Sequence, residues 1–197
     1  MMVNPKRNLI LNAAYTQFSQ YGYRKTSMED IAKGLGISRA SLYSYFNNKD
    51  EIFCNVSQML HDRALAEAGE WLQGQHSTED LLSRLTAALL ARHGPFHDAV
   101  VTSAHGAELF DEYGRLCRDI VFDSHTQFQH MLATMLKSAD RLGEIDLKEA
   151  KLSVSDAAEL LNLSAAGLKR GADKPVTFRD RIGNFAAVFL VGLGYSR

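Results

Sequence analysis

Apolar positions recur at helical spacing along most of this chain. Ile10, Ala14, Phe18 and Tyr21 mark a first amphipathic helix over residues ~5 to 21, which Gly22 terminates. Thr26 followed by Glu29 reads as a capping box, so a second helix is predicted from Ser27 with Met28, Ile31 and Ala32 inward. Gly34-Leu35-Gly36 stops it, since glycine enters left-handed conformations at little cost, and Ser38 caps a third helix. Leu35, Ile37, Leu42 and Phe46 face the interior, leaving Arg39, Ala40, Ser41, Tyr43 and Ser44 outside. Asn48 with Glu51 forms another box opening a long helix through Ile52, Val56, Leu60, Ala64, Ala68 and Trp71.

Gly74 to His76 is a break, after which Ser77 or Thr78 caps a helix carrying Leu81, Leu82, Leu85 and Leu89. Gly94-Pro95 is expected to end that helix, and a short helical piece from Phe96 to about Ala104 follows. Beyond Gly106, the positions Leu109, Tyr113, Leu116, Ile120, Phe128, Met131 and Met135 read as one stripe reaching Gly143. Ser153 or Ser155 caps the next helix, through Ala157, Ala158, Leu161, Ala165 and Leu168 to Gly171. Pro175 and a Thr177 cap introduce the last, with Phe178, Ile182, Phe185, Phe189 and Leu193. No repeat, low-complexity tract or strand pattern interrupts this all-α reading.

Composition narrows the class. With 197 residues, 46% hydrophobic and 23% charged, the chain can bury an ordinary core. No apolar run approaches the ~20 residues that span a bilayer, and Lys6-Arg7 precede an amphipathic segment instead of a signal sequence. Two cysteines, Cys54 and Cys117, each within a helical pattern, fit a reduced cytoplasmic setting. The net charge of −1 hides an asymmetry, because residues 1–55 carry +3 and the remainder −4. A basic end on an acidic body suits a DNA reader attached to a regulatory domain.

The stretch from Thr26 to Phe53, above all SRASLYSYFNNKDEIF with Ala40, the Tyr43 and Tyr45 pair, Phe46 and Lys49 in register, resembles the DNA-binding signature of the tetracycline-repressor (TetR) family. That resemblance implies an N-terminal three-helix, helix-turn-helix DNA-binding domain, residues 1–50, followed by a C-terminal helical ligand-binding and dimerisation domain, residues 51–197. It further implies a homodimeric, ligand-responsive transcription regulator, most readily a repressor. An activator, a ligand-independent DNA binder and a helical small-molecule-binding dimer without DNA function stay open.

The DNA-binding candidates are Thr26, Ser38, Arg39, Ala40, Ser41, Tyr43, Tyr45 and Lys49. Arg39 is the long side chain able to offer paired donors to a guanine, and Ala40 lets the helix backbone approach the groove. Ser41, Tyr43, Tyr45, Thr26 and Lys49 suit phosphates, which position without specifying. Lys49 stands in the first turn of its helix, where the dipole disfavours a cation unless an anion is near. The flanking charges Lys6, Arg7, Arg24 and Lys25 either meet phosphates or simply solvate the chain. Two such heads on a two-fold axis predict a palindromic double-stranded operator and steep salt dependence.

For an effector, expected to be partly apolar, the candidate lining is Trp71, Phe96, His105, Phe110, Tyr113, Cys117, Phe128 and Met131. Aromatics and methionines at this spacing serve equally well as plain core. The last two helices set small residues beside large ones, and Ala158, Leu161, Ala165, Ile182, Phe185 and Phe189 are candidates for a dimer interface; the same residues could pack within one chain. His93 and His97 are four apart, but the expected helix break at Gly94-Pro95 separates them, and His125 and His130 are five apart, so no metal site is assigned. No cofactor is implied. Without a phosphate loop, nucleophile elbow or paired zinc-ligand motif, the chain does not read as an enzyme.

Overall fold

The computed structural model describes residues 5–74 and 79–196, and every regular element within them is an α-helix. In chain order these are α1 Pro5–Tyr21, α2 Met28–Gly34, α3 Arg39–Tyr43, α4 Lys49–Leu72, α5 Leu81–Thr102, α6 Gly106–Leu116, α7 Arg118–Arg141, α8 Val154–Gly167 and α9 Pro175–Gly192. None of these helices is long and apolar enough to cross a membrane. By packing they divide into two units, one holding the residues up to Asp62 with Ala99–Phe122, the other Arg63–Asp98 with the residues from Asp123 onward.

The first unit is built from α1, α2, α3, the opening turns of α4, and α6. Phe18, Ile31, Leu42, Phe46, Ile52, Phe53 and Val56 are fully buried at its centre, joined by Leu109 and Cys117. Phe53 meets Phe18 edge-on, with centroids 5.2 Å apart, and stacks on Tyr113 at 4.4 Å. The α1 stripe is Ile10, Leu11, Ala14 and Phe18; Tyr21, expected inside, is exposed because the helix ends there and Gly22 turns the chain away at φ +83°. Gly106 opens α6 where there is no space for a side chain: a Cβ there would lie 2.3 Å from the Ala99 carbonyl oxygen.

The second unit surrounds a core of Leu85, Leu89, Phe128, Leu132, Leu136, Leu161, Phe178 and Ile182. Here α8 and α9 pack on one another, and Ala157, Ala158, Ala165 and Ala186 are fully buried. Between α7 and α8 the chain is tied back by Asp140 Oδ1, which accepts from the Leu147 amide at 3.0 Å. The Leu193 carbonyl accepts from the Asp146 amide at 2.7 Å.

Several local expectations are corrected. α5 continues through Gly94-Pro95 to Thr102. An interior proline removes a helical hydrogen bond, but Pro95 faces outward while Arg92, His93, Gly94 and His97 around it are buried, so packing holds the turn. The long stripe beyond Gly106 is two helices, because Cys117 leaves helical geometry (φ −119°, ψ 30°) and the apolar phase restarts after it. The cap of α9 is Lys174 with Pro175 in the first turn, where a missing N–H is harmless, and not Thr177. Ser153, not Ser155, caps α8 by accepting from the Asp156 amide at 3.1 Å. The candidate caps Ser77 and Thr78 lie outside the described residues; Asp80 accepts from the Ser83 amide at 2.7 Å at the start of α5.

Candidate functional site

The helix-turn-helix is fixed by reciprocal side-chain to backbone bonds. Ser27, not Thr26, is the cap of α2: its hydroxyl accepts from the Asp30 amide at 3.2 Å, and the Asp30 carboxylate accepts from the Ser27 amide at 2.9 Å. The box predicted for Thr26 and Glu29 therefore sits one residue later. In the turn, Gly36 at φ +66° brings the Ile37 amide back to the Ala32 carbonyl at 3.1 Å. Ser38 then caps α3, accepting from the Ser41 amide at 3.1 Å.

Leu42 and Phe46 anchor α3 to the core, with Leu35 and Ile37 half-buried beside them. Arg39, Ala40, Tyr43 and Ser44 are exposed together, and Ser41 and Tyr45 are half-buried. The Arg39 guanidinium lies 5.4 Å from the Tyr43 ring centroid and donates to its hydroxyl at 3.3 Å, so the two long side chains share one face, one helical turn apart. At the start of α4 the Lys49 ammonium donates to the Tyr23 carbonyl at 2.8 Å and lies 4.2 Å from that ring. Its charge in this first turn is thus partly answered inside the fold. Tyr23 donates its hydroxyl to Asp50, and burial followed by that carboxylate pushes the phenol pKa upward.

Thr26 is a correction: it is buried and its hydroxyl donates to the Gly22 carbonyl at 2.7 Å, tying the loop down instead of facing outward. Two of the flanking cations are engaged within the first unit, Arg7 half-buried and Arg24 on its surface. Arg7 covers the Phe46 ring at 4.3 Å and donates to Asn55 at 2.9 Å. Arg24 reaches Glu112 at 3.3 Å, where Arg115 also binds at 2.7 Å. Burial would raise the Glu112 carboxyl, but Arg115 and then Arg24 outweigh it and hold the group below the usual carboxylate range. Lys25 is exposed, and with Lys33 it borders a cleft of about 360 Å³ that Gln17, Tyr21 and Gly34 also line.

The eight effector candidates are divided between the two units. His105, Phe110, Tyr113 and Cys117 belong to the first unit, where Phe110 is exposed, Tyr113 is stacked on Phe53, and Cys117 is buried with its sulfur 2.7 Å from that of Cys54. Trp71, Phe96, Phe128 and Met131 belong to the second. There Phe128 is fully buried, with Trp71 and Met131 packed against the same core.

Around Phe96 and Phe128 stands a polar group that sequence reasoning missed. The buried Arg92 guanidinium lies 5.6 Å from the Phe96 centroid and 5.9 Å from that of Phe128, and its Nε has no hydrogen-bond partner. Half-buried Lys169 puts its ammonium 5.8 Å from Phe96. His93, edge-on to Phe128 at 5.8 Å, has an unpartnered Nε2; Asn162 donates to the His125 carbonyl at 3.1 Å and leaves its Oδ1 unpartnered. Burial lowers Arg92 to about 10, and burial with the Arg92 charge lowers Lys169 to about 8. The signal was in the spacing: Leu85, Leu89, Arg92 and Phe96 follow one another at helical intervals, which sets a cation on an apolar stripe.

His93 and His97 do share a continuous helix, contrary to the expected break. They do not converge on a common point, since His97 Nε2 binds the Ala172 carbonyl at 2.7 Å and its ring stacks on Phe178. Among the described residues no group of three or more His, Cys, Asp or Glu side chains could hold a metal.

The dimer candidates divide similarly. Ala158, Leu161, Ala165 and Ile182 are completely buried within the single chain, so as core residues they are corrected out of an exposed interface. Phe185 and Phe189 are half-buried, 5.7 Å apart, and the exposed apolar side chains of α8 and α9 are Leu160, Leu163, Val176, Val188 and Val191.

The family profile described as "Bacterial regulatory proteins, tetR family" matches residues 10–56, the span just built from α1 to the start of α4. The chain is 29% identical over 85 residues to the HTH-type transcriptional regulator YhgD of Bacillus subtilis, covering 43% of this chain and 44% of that protein. It is 27% identical over 143 residues to the HTH-type transcriptional regulator UidR of Escherichia coli, covering 72% and 69%. The chain thus spans less than half the length of the first of these relatives. Among solved structures it resembles SmeT, the repressor of the Stenotrophomonas maltophilia multidrug efflux pump SmeDEF, with 21% identity, a TM-score of 0.67 and coverage of 96% and 90%.

Proposed function

We propose that this chain, whose residues 10–56 match the TetR-family profile, is a TetR-family repressor that binds a palindromic operator as a homodimer and is released by a small-molecule effector. The observation that carries the reading is the exposed face of α3, with Arg39, Ala40 and Tyr43 held outward by a capped and packed helix-turn-helix. Arg39 supplies paired donors for a guanine, Ala40 permits close backbone approach, and Ser41, Tyr43, Tyr45 and Lys49 hold phosphates. Ser38 acts through its cap. Repression follows the role of SmeT, a repressor of the same fold.

In this reading residues 1–50 are the DNA-binding head and 51–197 the regulatory and dimerising body. The exposed apolar residues of α8 and α9, with Phe185 and Phe189 beside them, meet their copies across a two-fold axis. Two heads then read half-sites about 34–36 Å apart, or a multiple of that spacing. An effector that favours a conformation with displaced heads lowers operator affinity by the factor by which operator lowers its own.

The test is selection of genome fragments on the purified protein at moderate and at higher salt. A small set sharing a palindrome supports the reading; retention without a motif, vanishing with salt, refutes sequence-specific regulation. Deleting the protein should raise transcription of the adjoining genes, and a fall instead would make it an activator.

A further inference from the structure

We propose that Arg92, Lys169 and Asn162, walled by Phe96 and Phe128, form a binding site for an organic carboxylate that carries a hydroxyl donor and an apolar body. The inference names the chemistry of the effector and takes its regulatory meaning from the function proposed above. The binding itself stands on the second unit alone, to which all five residues belong.

The charge balance of the cluster is the first argument. Arg92 is 4% exposed, and its guanidinium has the rings of Phe96 and Phe128 for neighbours. The Asp98 carboxylate is already held by Arg179 at 2.7 Å and by His97 at 3.3 Å. Glu159 acts on His125 but is exposed. A buried guanidinium with no counter-ion among the described residues is strongly unfavourable, and a second cation, Lys169, faces the same ring. One carboxylate between a forked donor and a point charge removes that penalty.

Asn162 adds direction. Its amide is oriented by the bond from Nδ2 to the His125 carbonyl, which leaves Oδ1 as a buried acceptor lacking a donor. A ligand hydroxyl fits that need. His93 Nε2, equally unpartnered, gives a neutral imidazole nitrogen at the wall formed by Phe128. Phe96 and Lys169 are both half-buried, so the cluster meets solvent along that edge, while Phe128 closes the inner side. A flat or extended apolar body against the two aromatic rings, with its charge at Arg92 and Lys169 and its hydroxyl at Asn162, matches the chemistry of those groups.

Calorimetry on the full-length protein without DNA, using 4-hydroxybenzoate, 4-hydroxyphenylacetate and 10-hydroxydecanoate, each against its primary amide, tests this. At least one acid is expected to bind about tenfold or more tighter than its amide. Arg92→Met and Lys169→Gln should each abolish the preference and leave the amide's affinity in place. Should Arg92→Met not fold, Lys169→Gln on its half-buried side chain decides alone. No acid preferred up to millimolar concentration, or a preference surviving Lys169→Gln, overturns the site. Release of a selected operator fragment is followed separately by anisotropy. Acid preference without release refutes the effector reading and keeps the site, whereas release by acid and amide alike refutes the site and keeps the effector reading.

Discussion

The Lys49 ammonium donates to the Tyr23 carbonyl at 2.8 Å, while Tyr23 gives its hydroxyl to Asp50, the next residue of the same helix. Tyr23, through its main-chain carbonyl and its hydroxyl, thus fixes the first turn of α4 at the edge of the helix-turn-helix, and Lys49 retains two further N–H donors. Lys49→Ala should weaken binding to all DNA and reduce the slope of log affinity against log salt by about one unit. Arg39→Ala should cost about 1–3 kcal/mol and relax preference at one position of each half-site. Titrations of a selected operator and of scrambled duplex at several salt concentrations separate the two, and an exchange of the two patterns would reverse the assignments.

Gly106 tests the packing of α6 in the first unit. Its missing Cβ would meet Val100 Cα at 2.5 Å as well as the Ala99 carbonyl, and both are backbone atoms that no rotamer change can move. Gly106→Ala is expected to destabilise the protein by at least the ~1–3 kcal/mol of ordinary overpacking, read from urea midpoints. Gly114→Ala, where an added Cβ meets nothing within 4 Å, is the matched control and should be neutral or stabilising.

Acid should destabilise the second unit through its histidines. Burial, then the charges of Lys169, Arg92 and His125, lower His93 well below the usual 6.5; burial and Arg92 lower His125, with Glu159 opposing. Between 6.5 and the lowered values the unfolded chain binds more protons. Stability is therefore complete above about 6.5 and lost as pH falls through the folded values, by up to ~1.4 kcal/mol per pH unit for each group. Urea melts from pH 7.5 to 5 should show this slope, and His93→Leu should flatten it.

Val188 is 73% exposed on α9. On a monomer, Val188→Asp would change solubility little; in the proposed two-fold interface it buries like charges against one another. Sedimentation velocity should report a dimer for the unaltered protein and a monomer for the variant. An unchanged dimer would place the interface elsewhere.

Cys54 and Cys117 invite a chemical test. Their sulfurs are 2.7 Å apart in the first unit, and burial followed by the bond to Cys54 raises the Cys117 thiol. Cys117 is therefore a poor nucleophile, and half-buried Cys54 is the thiol that reagents should meet first. Diamide, which takes up two electrons and two protons, should convert the pair to one intramolecular disulfide, seen as a mass loss of about two daltons without dimer formation. Alkylation of both thiols after treatment would refute the pairing.

How far the sequence carried the structure depends on what each residue answers to. Caps and glycine stops are local, so the turn at Gly36, the Ser38 cap and the inward Leu42 and Phe46 were all readable from the chain. So was the exposed face of Arg39, Ala40 and Tyr43. Thr26 misled because two adjacent hydroxyl residues, Thr26 and Ser27, each precede an acidic residue at capping distance, and burial alone chose Ser27. Pro95 misled for a different reason: the packing of Arg92, His93 and His97 overrides a local break. Periodicity placed Leu161 and Ile182 on an apolar face but does not say which partner covers it, and here the partner is the chain itself. The cluster at Arg92 required residues from α5, α7, α8 and the turn after α8 to converge, which no single stretch displays.

The first unit is closed by a segment that follows it in the chain by some forty residues: Ala99–Phe122 supplies Leu109, Cys117 and the ring stacked on Phe53. On a ribosome the helix-turn-helix therefore emerges before the helix that completes its core. At ~5–20 residues per second the interval from Asp62 to Phe122 lasts roughly 3–12 s. During that interval Phe53 lacks its stacking partner, and a nascent chain halted there carries the exposed face of α3 on an unfinished scaffold. In the proposed function, competence to read DNA is thereby tied to synthesis well beyond the residues assigned to the reading.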